Sequence, residues 1–444
     1  MNTKNLKTMI LTLLLFCLCL QSHAASAMPP VQRTLLPNGL VLLVSEEHSL
    51  PFVTLQLLID SGSRRDPSGE EGLAYLTARG LLLGTSEHTV NQVNEELDFM
   101  GASLNSSSGK DYVTLSLRIL KKDLDKGFDL FMEVLTKPTF HEEEINREVE
   151  KTLAAIQSEE DQPEEVAEKA FLKALFLNSP YGHPVEGTKE SVSRITREGI
   201  VRFYRSYYHP HSAILTVVGD ITDAEIKTKL IPRLEKWTMG EIPKLPFITE
   251  FEKEQKTVKI DRPITQANVI LGHAGVSREN PDFYALTVMN YILGGGGFAS
   301  RLMEEIRNKR GLAYSVASFF DPGKFPGSFQ IVLQTKNPSA KEAISLSLQQ
   351  MERIQKELVS EKDLEAAKKY LIGSFPLRFD TQGKLANFLS QVEYFGLGLN
   401  YPEKYPSLIR SVTREDVLRV AKKYLHPKKY VLVIVANLNE AGME

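Results

Sequence analysis

A chain of 444 residues, 42% hydrophobic and 25% charged, is too long for one ordinary core and too apolar for disorder, so two sizeable globular domains are expected. Its formal charge of −3, with both signs interspersed, gives no field that would gather phosphates. That excludes nucleic acid as a partner, and equally a polybasic attachment to a membrane surface.

The N-terminus carries Lys4 and Lys7, an apolar run at 9–20, and Ala25-Ser26-Ala27, the three-part pattern of a secretory signal. A spanning helix needs about 20 apolar residues, so residues 1–27 are expected to be cleaved and to leave no stable membrane anchor. The mature protein is then periplasmic or secreted. Both cysteines, Cys17 and Cys19, lie in this segment, so the mature chain has no thiol nucleophile, disulfide or cysteine-held zinc. Loss of Lys4 and Lys7 takes the formal charge to −5.

Further along, 40–44 and 52–59 are β-rich, with Asn38-Gly39 supplying a turn before the first. Helical spacing of apolar residues marks 72–83, 90–100 and 122–135, while 112–119 alternates as a strand. The Glu-rich run 142–165 reads as a solvated helix face. At 195–198, Ile-Thr-Arg-Glu opens an amphipathic helix that ends at His209-Pro210, and the strand 213–218 follows. The same series returns with Val412-Thr413-Arg414-Glu415, His426-Pro427 and the strand 430–435. The offset is 217 residues at both Thr196/Thr413 and His209/His426, far too long for a solenoid, so the chain holds two copies of one domain-sized unit. Strands at 267–272 and 328–334 and helices at 284–293 and 341–358 fill the second copy.

These elements predict an α+β chain of two homologous domains, each a mostly antiparallel sheet with helices on one face. The first domain spans 28–238 and the second 257–444. Gly240, Pro243 and Pro246 mark 239–256 as the linker.

The blocks Gly62-Ser63-Arg64-Arg65-Asp66, Gly72-Leu73-Ala74 and Leu83-Gly84-Thr85 resemble the zinc-site region of the pitrilysin, insulysin and mitochondrial processing peptidase superfamily. Ser179 to Pro184, Gly187-Thr188 and the repeated Thr-Arg-Glu helix extend that resemblance over essentially the whole mature chain. It implies a mitochondrial processing peptidase-like metallohydrolase fold. Active members carry His-x-x-Glu-His after the Gly-Leu-Ala element, two zinc ligands one helical turn apart with the water-activating carboxylate between them. Here the motif is replaced by Tyr75, Leu76, Thr77, Ala78 and Arg79, and Ala155 holds the place of the third ligand by spacing. Ligands and base are all gone, so no metal is expected in this chain.

Arg307 and Tyr314 resemble the arginine and tyrosine that the second half of these peptidases directs at the substrate, where both donate to a peptide carbonyl and its oxyanion. Gly294, Gly295, Gly296 and Gly297 stand upstream with no Lys-Ser or Lys-Thr after them, which removes the phosphate-loop reading. They fit either a loop admitting a peptide backbone or a bend between two helices. Asn105 lies in a segment similar to the family strand beside which substrate lies, so an extended peptide is expected there. His209 and His211, with His183 upstream, have no carboxylate cluster or cysteine to complete a metal site, and the repeat of His209 at His426 suggests a helix-ending role.

The resemblance is to the half-length subfamily, in which one subunit carries zinc and its homologous partner carries the arginine and tyrosine. It implies a non-catalytic subunit of a heterodimeric zinc endopeptidase, with a companion bearing His-x-x-Glu-His and the zinc, and extended peptide as substrate. Two rivals are a peptidase-fold binding or structural protein, as in the core subunits of the cytochrome bc complex, and a self-sufficient hydrolase with other ligands.

Overall fold

The computed structural model describes residues 28–244 and 250–444. The expected signal segment 1–27 lies outside the described residues, as do 245–249 of the expected linker.

Eleven strands form two sheets among the described residues. The first contains β1 (Gln32–Leu35), β2 (Val41–Glu46), β3 (Phe52–Ile59), β4 (Ser103–Ser108), β5 (Val113–Leu120) and β6 (Ala213–Gly219), in the order β1-β2-β6-β3-β5-β4. The second contains β7 (Lys256–Asp261), β8 (Gln266–Ala274), β9 (Ala313–Asp321), β10 (Ser328–Lys336) and β11 (Val431–Ala436), in the order β7-β11-β8-β10-β9. Leaving β1 aside, the two orders are the same, and each sheet has one parallel pair, β2 with β6 and β7 with β11. All other pairs are antiparallel. The duplication seen at the ends of the copies therefore extends through the whole of each sheet.

The helices of eight residues or more are α1 (Leu73–Gly80), α2 (Val90–Met100), α3 (Leu124–Thr136), α4 (Glu142–Glu159), α5 (Pro163–Leu175) and α6 (Arg197–Tyr207) in the first copy. In the second they are α7 (Phe283–Asn290), α8 (Ala340–Lys356), α9 (Glu361–Ser374), α10 (Gln382–Tyr394), α11 (Tyr401–Arg410) and α12 (Arg414–Tyr424). Thr196 caps α6 and Thr413 caps α12, each accepting a backbone N–H of the first turn.

Each sheet carries its own helices on one face, and its other face takes one helix from the other copy. Alternation decides which residues meet which layer. On β6, Leu215 and Val217 join the first copy's core, while Thr216 points the other way and hydrogen-bonds Ser390 of α10 at 2.8 Å. On β11, Val431, Val433 and Val435 pack with Phe171, Leu172 and Leu175 of α5. The central strands are accordingly buried along their whole length. Because of this exchange Val31–Glu444 is one compact unit.

Candidate functional site

Asp66 accepts hydrogen bonds from the backbone N–H of Gly72 at 2.8 Å and Ala74 at 2.7 Å, satisfying donors left open at the start of α1. Gly72 has φ +99, and a Cβ there would lie 2.5 Å from the Glu186 carbonyl. Gly187, at φ +86, would meet the Glu71 carbonyl at 2.2 Å. Two separated sequence blocks are thus pressed backbone to backbone, which only glycines permit. His183 donates from Nδ1–H to the Pro184 carbonyl at 2.8 Å, and burial lowers its pKa. It is a structural imidazole of this turn.

On α1 every side chain is buried except two, Tyr75 and Arg79, which share a face one turn apart. Ala78 is fully buried. The Arg79 guanidinium donates from Nε to Oε1 of Glu148 on α4 at 2.6 Å, and Lys151 Nζ stands 3.8 Å from the other oxygen. Glu148 is 8% exposed. The run 142–165 has its solvated face, with Glu142, Glu143 and Glu150 exposed, but Glu148 departs from it and joins Ile145, Thr152 and Ile156 in the buried stripe of α4. That spacing was the signal that would have found Glu148. Ala155, two turns beyond it, is exposed. The residues present do not fit a zinc ion: a phenol, a methyl and a guanidinium make no ligand set, and the neighbouring Glu148 carboxylate is engaged by a cation. Among the described residues no group of three or more His, Cys, Asp or Glu is placed to hold a metal. His209 and His211 merely stack, with ring centroids 5.8 Å apart.

In the second copy, Arg307 lies on a π-wound turn, Met303–Asn308. Gly311, at φ +63, closes it with bonds from Gly311 N to the Arg307 carbonyl at 2.8 Å and from Leu312 N to the Ile306 carbonyl at 2.9 Å. The chain then doubles back as β9. Gln334 of β10 pairs with Ser315 and Thr335 with Ala313, which makes Tyr314 the extra residue of a β-bulge, a device that re-aims a side chain. Tyr314 is 72% exposed and Phe298 67%. The Arg307 guanidinium sits 5.8 Å from the first ring and 4.9 Å from the second. Nearby carboxylates have other cations: Glu305 pairs with Lys309 and Arg310, and Glu304 with Lys309. Among the described residues Arg307 forms no ion pair.

The glycines differ from the loop expectation. Gly294 and Gly295 lie in a helical turn, Tyr291–Gly295, that continues α7. A Cβ on Gly294 would lie 2.4 Å from Ser318 Oγ of β9, so the close approach that glycine allows there is to the chain's own strand. Gly296 abuts Tyr291, and only Gly297, at φ +55, has open space around its Cβ position. The bend between helices is what the structure contains. Asn105 is exposed on β4, the edge of the first sheet. No hydrogen bond, ion pair or ring contact among the described residues joins the Tyr75–Arg79 face to the Arg307–Tyr314 face.

Two family models cover most of the chain in order, "Insulinase (Peptidase family M16)" at 41–189 and "Peptidase M16 inactive domain" at 194–371. The chain belongs to the M16 insulinase family. It is 27% identical to an uncharacterized zinc protease of Streptomyces coelicolor over 91% of this chain and 89% of that one. It is 26% identical to a protein of Helicobacter pylori named a non-peptidase homolog, over 89% and 91% of the two. A crystal structure described as a peptidase M16 inactive domain from Pseudomonas fluorescens superposes with a TM-score of 0.86 at 28% identity, covering 92% of this chain and 98% of that one. With Tyr75, Ala78 and Arg79 on α1, this insulinase-family chain is a non-catalytic member.

Proposed function

We propose that the chain is the complementing subunit of a heterodimeric zinc endopeptidase, exported to the periplasm or beyond. The observation that carries this reading is Arg307, beside two exposed aromatic rings, Phe298 and the bulge residue Tyr314, and with no ion-pair partner among the described residues. Such donors serve a carbonyl oxygen supplied from outside the chain. A homologous companion bearing His-x-x-Glu-His supplies metal and base. This chain closes the chamber, and Arg307 and Tyr314 donate to the scissile carbonyl as negative charge grows on its oxygen. The exposed edge of β4, including Asn105, takes extended peptide by main-chain pairing.

The test is cleavage of an unstructured peptide by the mature chain, by the companion and by their mixture, with metal assayed in each. Turnover in the mixture alone, with zinc following the companion, supports the reading. Turnover by this chain alone, or none gained on mixing, overturns it.

A further inference from the structure

Tyr75 and Arg79 are more than the remains of a lost site. They are the two side chains of α1 left open to solvent, on a helix that packs directly against the edge strand β4. Arg79 uses only Nε on Glu148; neither Nη makes a hydrogen bond among the described residues, and its side chain is 35% exposed. Half of a rigid planar fork is therefore fixed by a buried carboxylate, and the other half is presented outward. The Tyr75 phenol has no hydrogen-bond partner among the described residues, and its partial burial raises its pKa, so it stays a neutral donor.

The surrounding charges leave this fork available. Glu148 is shared between Arg79 and Lys151. Glu159 and Glu186, the other carboxylates whose fields reach Tyr75, are both held by Lys169, at 2.6 and 3.1 Å. A planar anion with two oxygens is the complement of what remains. β4 in turn offers a free edge: it is the last strand of its sheet and among the described residues pairs only with β5, so a peptide added there lies alongside the strand that α1 packs against.

We propose that Tyr75 and Arg79 form a receptor for the free α-carboxylate of an extended peptide paired to β4. The proposal rests on the reading of β4 as a peptide edge, and deepens it by naming the peptide's end group. The guanidinium donates to the carboxylate oxygens from its two free nitrogens, a geometry lysine cannot reproduce, and the phenol adds a third donor. A subunit built this way retains peptides that have a newly made C-terminus, the chemical mark of a cleavage product.

The test uses this chain alone, without any companion. A fluorescein-labelled peptide of about ten residues alternating valine and serine is titrated as the free acid and as the C-terminal amide, with anisotropy as the readout. The free acid is expected to bind at least about tenfold more tightly. Arg79→Ala should abolish that preference. Arg79→Lys, which keeps an ion pair to Glu148 and so protects the fold, should retain only a small part of it. Equal affinity for acid and amide, or a preference that survives in both variants, overturns the receptor while leaving the edge reading of β4 intact. Failure of the free acid to bind at millimolar concentration overturns it too. None of these results alters the turnover test of the complementing subunit, so the two readings fail separately.

Discussion

The Nε of Arg79 lies 2.6 Å from Oε1 of Glu148, so a guanidinium on one helix neutralises a nearly buried carboxylate on the next, α1 against α4. The pair ties α4 to α1, the helix that packs against β4.

Arg79→Ala should cost about 1–3 kcal/mol, the penalty for leaving a buried acceptor poorly satisfied, since only Lys151 at 3.8 Å remains near Glu148. Glu148→Gln in the same background should recover most of it, because the uncompensated charge is then gone. Denaturant midpoints of the wild type and both variants measure this. A double variant no more stable than Arg79→Ala would show that the pair does not fix these helices.

Restoring the motif as Tyr75→His, Ala78→Glu and Arg79→His should not give stoichiometric zinc, since Ala155 supplies no third ligand. Adding Ala155→Glu should raise the bound metal towards one per chain, because Ala155 is exposed two turns beyond Glu148 on the same helix. Metal analysis after dialysis decides it. Full occupancy in the triple variant would mean that another side chain completes the site.

Phe171 of α5 is fully buried against the second sheet, and its ring tip would lie 2.7 Å from a Cβ on Gly272. Phe171→Ala should cost about 3–5 kcal/mol. Trp237, the chain's one tryptophan, sits in the first copy's core. If the exchanged helices make the copies interdependent, Trp237 fluorescence and far-UV circular dichroism should shift together in this variant. A Trp237 transition that stays in place while the dichroism splits into two steps would mean that the copies unfold separately.

A charged clasp joins the copies. Arg64 pairs with Asp60 and stands 3.3 Å from Asp111, Tyr394 donates to Asp60 at 3.0 Å, and Asp111 accepts from Tyr181 and from the Lys324 backbone N–H at 2.8 Å. Burial alone would raise the Asp60 carboxyl, but the Arg64 and Arg65 guanidiniums hold it below the ordinary carboxylate value. Its folded pKa thus lies below its unfolded one, near about 3.9. The stability it contributes is present at neutral pH and is lost as pH falls from about 5 towards the folded pKa. Thermal unfolding of the wild type and Asp60→Asn should differ at pH 7, and the gap should narrow as the pH is lowered into the acid range. A gap of constant size would contradict the assignment.

Much of this fold is legible in the sequence because its signals are local. The alternation of β5, buried at Val113, Leu115, Leu117 and Ile119, and the capping threonines at 196 and 413 are examples. The exchange of α5 and α10 is not legible. Phe171, Leu172 and Leu175 announce an apolar stripe, but nothing in their spacing says which sheet receives it. Glu148 could be placed by the stripe of α4, but its partner could not, since the cation stands on another helix. Motif residues such as Arg64 and Tyr181 betray the family, yet their work at the junction of the copies depends on Asp60, Asp111 and Tyr394, which come from separate parts of the chain. The bulge that turns Tyr314 outward depends on pairing with β10 and has no local signature.

The complementing role of this chain is tested most directly by turnover of the complex reconstituted with its zinc-bearing companion, comparing wild type with an Arg307→Ala, Tyr314→Phe double variant. Arg307 is partly exposed and among the described residues forms no ion pair, so the variant should fold and assemble normally while kcat falls roughly 10²-fold or more, the loss seen when transition-state donors are removed. Unchanged kcat in a fully assembled variant complex would contradict the account.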